Sequence, residues 1–169
     1  CAEWVLTQLA TARAGLVLVN VNPAYRRAEL EYALNKVECK ALVLAPALKT
    51  SNYLEIVNDL APELAASPFG QLHARALPHL RWVIRLGEET TDGMLNYSEL
   101  SDRASAASRA RLAAIGPTLA CDDAINIQFT SGTTGCPKGA TLTHRNILNN
   151  GLFGGEAIRL TEADRLCIP

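Results

Sequence analysis

Ten consecutive residues, Thr130 to Gly139, read TSGTTGCPKG and hold one cation, Lys138, between Pro137 and Gly139. These residue types suit a polyphosphate, which needs many hydrogen-bond donors at once. Gly132, Gly135 and Gly139 let backbone N–H groups turn inward without a Cβ in the way. The hydroxyls of Thr130, Ser131, Thr133 and Thr134 add donors, and Lys138 supplies a compact positive charge for phosphate oxygens. Pro137 stiffens the loop and removes a donor just before the lysine. The spacing G-x-x-G-x-x-K-G is not that of a Walker A loop, in which the lysine follows a glycine directly and precedes Ser or Thr. A flexible linker would account for the glycines and serine, but not for a lysine locked between proline and glycine.

Such a loop must be held at both ends. Before it, AINIQFT (124–130) alternates Ile125, Ile127 and Phe129 with Asn126, Gln128 and Thr130, the period of a strand with one apolar face. After it, ATLTH (140–144) alternates again, and HRNILNNG (144–151) reads as a short helix closed by Gly151. The expected layout is strand, glycine-rich loop, strand, helix.

Upstream, strand and helix patterns take turns. EWVLTQLATARAG (3–15) reads as a helix with Val5, Leu6, Leu9 and Ala10 as its apolar face. LVLVNV (16–21), ALVLA (41–45) and RWVIRL (81–86) read as buried strands. Leu30, Ala33, Leu34 and Val37 mark one face of a second helix. Asn52 and Glu55 have capping-box spacing ahead of a third, with Tyr53, Ile56, Val57 and Leu60 on one face. Residues 62–80 carry three prolines and read as an irregular excursion, 87–93 as a loop, and 96–114 as one helix with a small-residue face. Continuous apolar strands alternating with helices predict an α/β fold, a parallel sheet covered by helices on both faces. A boundary is expected near Gly116-Pro117, dividing an α/β portion (1–115) from a phosphate-loop segment (116–169).

At these residues the chain resembles the adenylate-forming, AMP-binding superfamily of acyl-CoA synthetases, firefly-type luciferases and peptide-synthetase adenylation domains. TSGTTGCPKG matches that family's phosphate loop, [ST]-S-G-[ST]-T-G-x-P-K-G, at every specified position, with Cys136 in the variable slot. EWVLTQLATARAGLVLVNVNPAYRRAELEYALNKVECKALV (3–43) resembles medium- and long-chain fatty acyl-CoA synthetases, especially the branch called acyl-CoA synthetase family member 2. The resemblance is weakest over 62–115. It implies a fold, an incomplete α/β subdomain of the large N-terminal domain of such an enzyme. It also implies a reaction in which a carboxylate and Mg2+-ATP give an acyl-adenylate and pyrophosphate, and coenzyme A then forms the thioester. Thr130, Ser131, Gly132, Thr133, Thr134, Gly135, Cys136, Pro137, Lys138 and Gly139 would hold the β- and γ-phosphates. Thr134 would stand nearest the phosphate–magnesium unit, and no residue is assigned as a protein ligand to a metal. The main catalytic residues are expected beyond residue 169, so residues 1–169 alone are expected to be inactive.

Other candidates are weaker. Cys136 lies beside a cation and could be a reactive thiol, though a small filler at a tolerant position accounts for it. His144 could approach a phosphate, or simply begin a helix. Asp122 and Asp123 read as a solvated acidic pair rather than a metal site. His73 and His79 have no visible partner, and Asn22-Pro23 with Tyr25 reads as a strand-to-helix turn.

The totals agree with a globular domain. Of 169 residues, 49% are apolar and 20% charged, and the net charge of −1 implies no pull toward nucleic acid or anionic membrane. Apolar runs are too short for a transmembrane helix. Five scattered cysteines without C-x-x-C spacing fit a reducing compartment, cytoplasmic or, for a eukaryotic protein, the mitochondrial matrix. The first residue is Cys and RLCIP looks like the middle of a strand, so the chain reads as an excerpt. The expected partners are fatty acid, ATP and coenzyme A, with a homodimer left open. Two other readings stand: another adenylate-forming enzyme, such as an aryl-CoA ligase or a carrier-loading domain, and a short non-catalytic phosphate-binding module.

Overall fold

The computed structural model describes residues 1–130 and 137–166. In chain order its elements are α1 (Ala2–Arg13), β1 (Leu18–Asn20), α2 (Arg27–Lys36), β2 (Ala41–Leu44), β3 (Ala47–Leu48), β4 (Ser51–Asn52) and α3 (Tyr53–Leu60). Then come β5 (Trp82–Arg85), β6 (Leu95–Asn96), α4 (Ala106–Ile115), β7 (Ala124–Thr130), β8 (Lys138–Thr143) and α5 (His144–Ala157).

The strands divide between two three-stranded sheets, ordered β1-β7-β8 and β2-β5-β6, with β3-β4 a small antiparallel pair. The second sheet is wholly parallel; in the first, β1 and β7 are parallel while β7 and β8 are antiparallel. The α/β class with parallel strands is as expected. The strands fall in two sheets, and β8 is the one strand of these two that runs antiparallel to its neighbour. The β1–β7 ladder also crosses the expected boundary at 116–117, pairing Leu18 with Asn126 and Asn20 with Gln128.

The core sits beside the second sheet and is built largely by the segment without regular strands. Leu64, Leu72, Leu77 and Leu80 are each 1% exposed and cluster with Val57 and Leu60 of α3, Leu34 of α2 and Val83 of β5. Prolines and a short 3-10 helix (Pro62–Ala66) prevent regular structure there without preventing burial. Asn52 caps α3, its Oδ1 accepting the Glu55 N–H at 3.2 Å, so the predicted helix start is correct.

Several elements differ from the sequence reading. Residues 96–114 do not form one helix: a 3-10 turn (Tyr97–Leu100) follows β6, and α4 restarts only where Ser105 caps it through the Ser108 N–H at 3.1 Å. No residue of α4 is buried among the described residues, and its alanines are exposed. α5 passes through Gly151 and continues to Ala157. Helix α1 forms as expected but turns the other way. Thr7, Gln8 and Thr11 are partly buried, while Val5, Leu6 and Leu9 point outward at 45%, 57% and 64% exposure. Hydrogen bonds seat it: Trp4 Nε1 donates to Asn20 Oδ1 at 3.2 Å, and Thr7 Oγ1 to the Tyr97 hydroxyl at 3.1 Å. Of the strand expected at RLCIP, residues 165 and 166 carry no regular structure and 167–169 lie outside the described residues.

A candidate phosphate-binding hairpin

β7 and β8 bring the two ends of the loop together. Their antiparallel ladder pairs Ile127 with Thr141, Gln128 with Ala140, Phe129 with Gly139 and Thr130 with Lys138. Directly opposed residues in a ladder project to the same face, so Thr130 and Lys138 stand side by side at the neck. Both are exposed, as a loop that receives a ligand from solvent requires. Thr130 Oγ1 donates to the Lys138 carbonyl oxygen at 3.3 Å, which directs its proton across the neck instead of outward. Among the described residues no carboxylate pairs with Lys138. Ser131, Gly132, Thr133, Thr134, Gly135 and Cys136 lie outside the described residues.

β8 starts at Lys138, two residues earlier than the alternation suggested. Gly139 therefore lies inside a strand, opposite Phe129, and its φ is not positive. A Cβ built there would come within 3.0 Å of Ile127 Cγ2 and 3.7 Å of Phe129 Cε1. Close packing over β7, more than a turned N–H group, is what its missing side chain serves.

The other end of the hairpin is latched. Arg145, in the first turn of α5, makes a bidentate pair with Asp122: Nε to Oδ1 at 2.7 Å and Nη2 to Oδ2 at 2.9 Å. Its Nη2 also donates to Cys121 Sγ at 2.7 Å, and its backbone N–H to the Cys121 carbonyl at 2.9 Å. The hydrogen-bonded Arg145 guanidinium holds the Asp122 carboxyl below its usual range. Asp123 Oδ2 accepts the Ala120 N–H at 2.7 Å and so closes the turn before β7. The acidic pair is thus not simply solvated: Asp122 is ion-paired and Asp123 shapes a turn. Among the described residues, no group of three or more His, Cys, Asp or Glu is placed to hold a metal ion.

His144 is the first residue of α5, and Thr143 caps the helix by accepting the Asn146 N–H at 3.2 Å. The His144 N–H reaches the Asp123 carbonyl at 3.3 Å, while its Nε2 is buried without a hydrogen bond. His73 lines a surface depression with Glu63, Ala74, Arg75 and Pro78, all from the irregular segment. Three placements escaped sequence reasoning. Arg145 could have been found only by knowing that residues 121–123 and α5 meet. Asn126 counted as the solvent face of an alternating strand, yet it is 1% exposed. Gln8 was hidden because the apolar residues of α1 pointed to the opposite face.

The chain belongs to the AMP-binding enzyme family, whose model matches residues 1–169. It is 45% identical over 170 residues to the bovine medium-chain acyl-CoA ligase ACSF2, mitochondrial, an alignment covering 98% of this chain and 28% of the bovine protein. To the human protein of the same name it is 48% identical over 164 residues, covering 94% of this chain and 26% of that one. The chain thus spans roughly a quarter of the length of these relatives. In three dimensions it is similar to apo MbtA from Mycobacterium smegmatis, with a TM-score of 0.68 at 24% identity over 97% of this chain and 26% of that one. That likeness concerns the fold.

Proposed function

We propose that this chain is the phosphate-loop portion of an ATP-dependent fatty acyl-CoA ligase acting on medium-length acids. The observation that carries the reading is the hairpin. Its strands bring Thr130 and Lys138 together at the ends of a loop whose sequence is TSGTTGCPKG, in a chain of the AMP-binding family. The exposed Lys138, without a carboxylate partner among the described residues, fits a polyanion. The medium-length acid follows the names of the bovine and human relatives.

In the first half-reaction a carboxylate oxygen bonds to the α-phosphorus of ATP as the bond to the β-phosphate oxygen breaks, and pyrophosphate leaves. Lys138 acts on the leaving side, neutralising charge as it builds on pyrophosphate. Ser131, Thr133 and Thr134 supply hydroxyls, Thr130 holds the neck through its bond to the Lys138 carbonyl, and the glycine-rich backbone supplies N–H groups around the phosphates. Mg2+ would arrive with ATP, on the phosphates, next to the Thr134 hydroxyl. In the second half-reaction the coenzyme A thiolate displaces AMP and forms the thioester.

Acyl-dependent exchange of labelled pyrophosphate into ATP by the full-length protein, run over short, medium and long fatty acids, tests the reading. Exchange that peaks with medium acids is expected; none with any fatty acid would overturn it. Residues 1–169 alone are expected to show no exchange. Among the described residues Cys1, Cys39 and Cys121 form no disulfide; a reducing compartment, cytoplasm or mitochondrial matrix, is expected, which imaging of the full-length protein checks. No helix among the described residues is long and apolar enough to cross a membrane. The outward apolar stripe of α1 is compatible with a homodimer, and a monomer in sedimentation would exclude it.

A further inference from the structure

A buried carboxamide in the central strand β7 has no hydrogen-bond partner within the described residues. Asn126 is 1% exposed, and neither its Oδ1 nor its Nδ2 is hydrogen-bonded. Its ladder partners, on the same face, are Leu18 in β1 and Leu142 in β8. A slot between two leucines suits a branched aliphatic side chain of similar size. An amide left unpaired there works against the resting fold, whereas an apolar isostere would not. Such a group calls for an explanation other than stability.

The complementary atom lies on α1, where Gln8 Oε1 is likewise buried without a hydrogen bond. The bond from Trp4 Nε1 to Asn20 Oδ1 sets the helix against β1. Gln8 is one turn beyond Trp4 on the same face, about 6 Å along the helix axis. Only residues 14–17 link α1 to β1, so the two run in opposite directions. That turn therefore leads from the level of Asn20 back to that of Leu18, two strand residues or about 6.6 Å away. Leu18 is the ladder partner of Asn126, which puts Gln8 and Asn126 at one level of the sheet, and α1 packs against β7. The inward face of α1 is polar, so a small shift of the helix gives up little apolar contact.

We propose that Asn126 is a positioning residue of the adenylation half-reaction: its Nδ2 donates to Gln8 Oε1 in the nucleotide-bound state. The pair fixes the strand that ends in Thr130 and, through the ladder, Lys138. The inference rests on the phosphate reading of the loop. A ligand shifts a conformation only as far as its own interactions differ between the two states; phosphate contacts at the end of the hairpin supply that difference, and this hydrogen bond forms in the state they select.

The test uses the full-length protein with Asn126→Leu, Gln8→Leu and the double variant. Thermal midpoints are measured without nucleotide, and KM for ATP and kcat in acyl-dependent pyrophosphate exchange. The midpoint of Asn126→Leu is expected at or above wild type. Its KM is expected to rise about five- to tenfold, the effect of one hydrogen bond, with kcat changed less than about twofold. The double variant should be no worse than the poorer single one, as a shared interaction requires. An unchanged KM, or effects that simply add, overturns the pair. So does a lowered midpoint in Asn126→Leu, whatever the KM, because the amide would then be paired already in the resting protein, to a buried water for example. Normal wild-type exchange with unaffected variants refutes this inference alone; absence of exchange in the wild type refutes the functional reading and this inference with it.

Discussion

Thr130 and Lys138 face each other across the neck of the β7–β8 hairpin, the threonine hydroxyl donating to the lysine carbonyl at 3.3 Å. The two ends of the glycine-rich loop are thereby held one strand spacing apart, about 4.8 Å. The lysine side chain leaves from the last paired position, so its root is fixed by the ladder. A cation on a rigid base needs little reordering when charge builds on a phosphate.

Lys138→Ala in the full-length protein should lower acyl-dependent pyrophosphate exchange by about a hundredfold, the scale of removing one preorganised charge-stabilising group. Because Lys138 is exposed, the unfolding free energy should stay within about 0.5 kcal/mol of wild type. Exchange at the wild-type rate would remove the lysine from the site.

Gly139 offers a packing test. An added Cβ meets Ile127 Cγ2 at 3.0 Å, so Gly139→Ala needs a shift of a few tenths of an ångström, while Gly139→Val forces β8 away from β7. Overpacking of this kind costs about 1–3 kcal/mol. Chemical denaturation should rank wild type above Ala and Ala above Val; equal midpoints for all three would show that the strand pairing tolerates side chains there.

The irregular segment should behave as core. Leu77 is 1% exposed in the main apolar cluster, so Leu77→Ala should destabilise by about 2–5 kcal/mol, as in a packed helix or strand. A loss under about 0.5 kcal/mol in urea unfolding would mean that the segment merely covers the sheet.

Burial pushes the Cys39 thiol up to about 11. A raised value in the folded state means that folding favours the protonated thiol. Its contribution to stability is fully present below about pH 9 and lost as the pH rises toward about 11. Iodoacetamide at neutral pH should therefore label the exposed Cys121 well before Cys39. Peptide mass mapping reads the order, and faster labelling of Cys39 would contradict its burial.

Local chemistry was legible in the residues themselves. The strand into TSGTTGCPKG, the Asn52 cap of α3 and the alternation of helices with strands depend on neighbours in sequence, and short-range sterics and hydrogen bonding decide them. Contacts between distant segments were not. Nothing in AINIQFT tells that Asn126 is buried, since alternation gives two faces and only tertiary packing selects which of them is covered. Nor does the apolar stripe of α1 reveal that Thr7 and Gln8 face inward, because the hydrogen bonds that seat the helix, to Asn20 and Tyr97, join segments far apart in sequence. Prolines announced that residues 62–80 would be irregular, yet only tertiary structure could fill the core with Leu64, Leu72, Leu77 and Leu80, because burial follows apolar area and is indifferent to regular backbone.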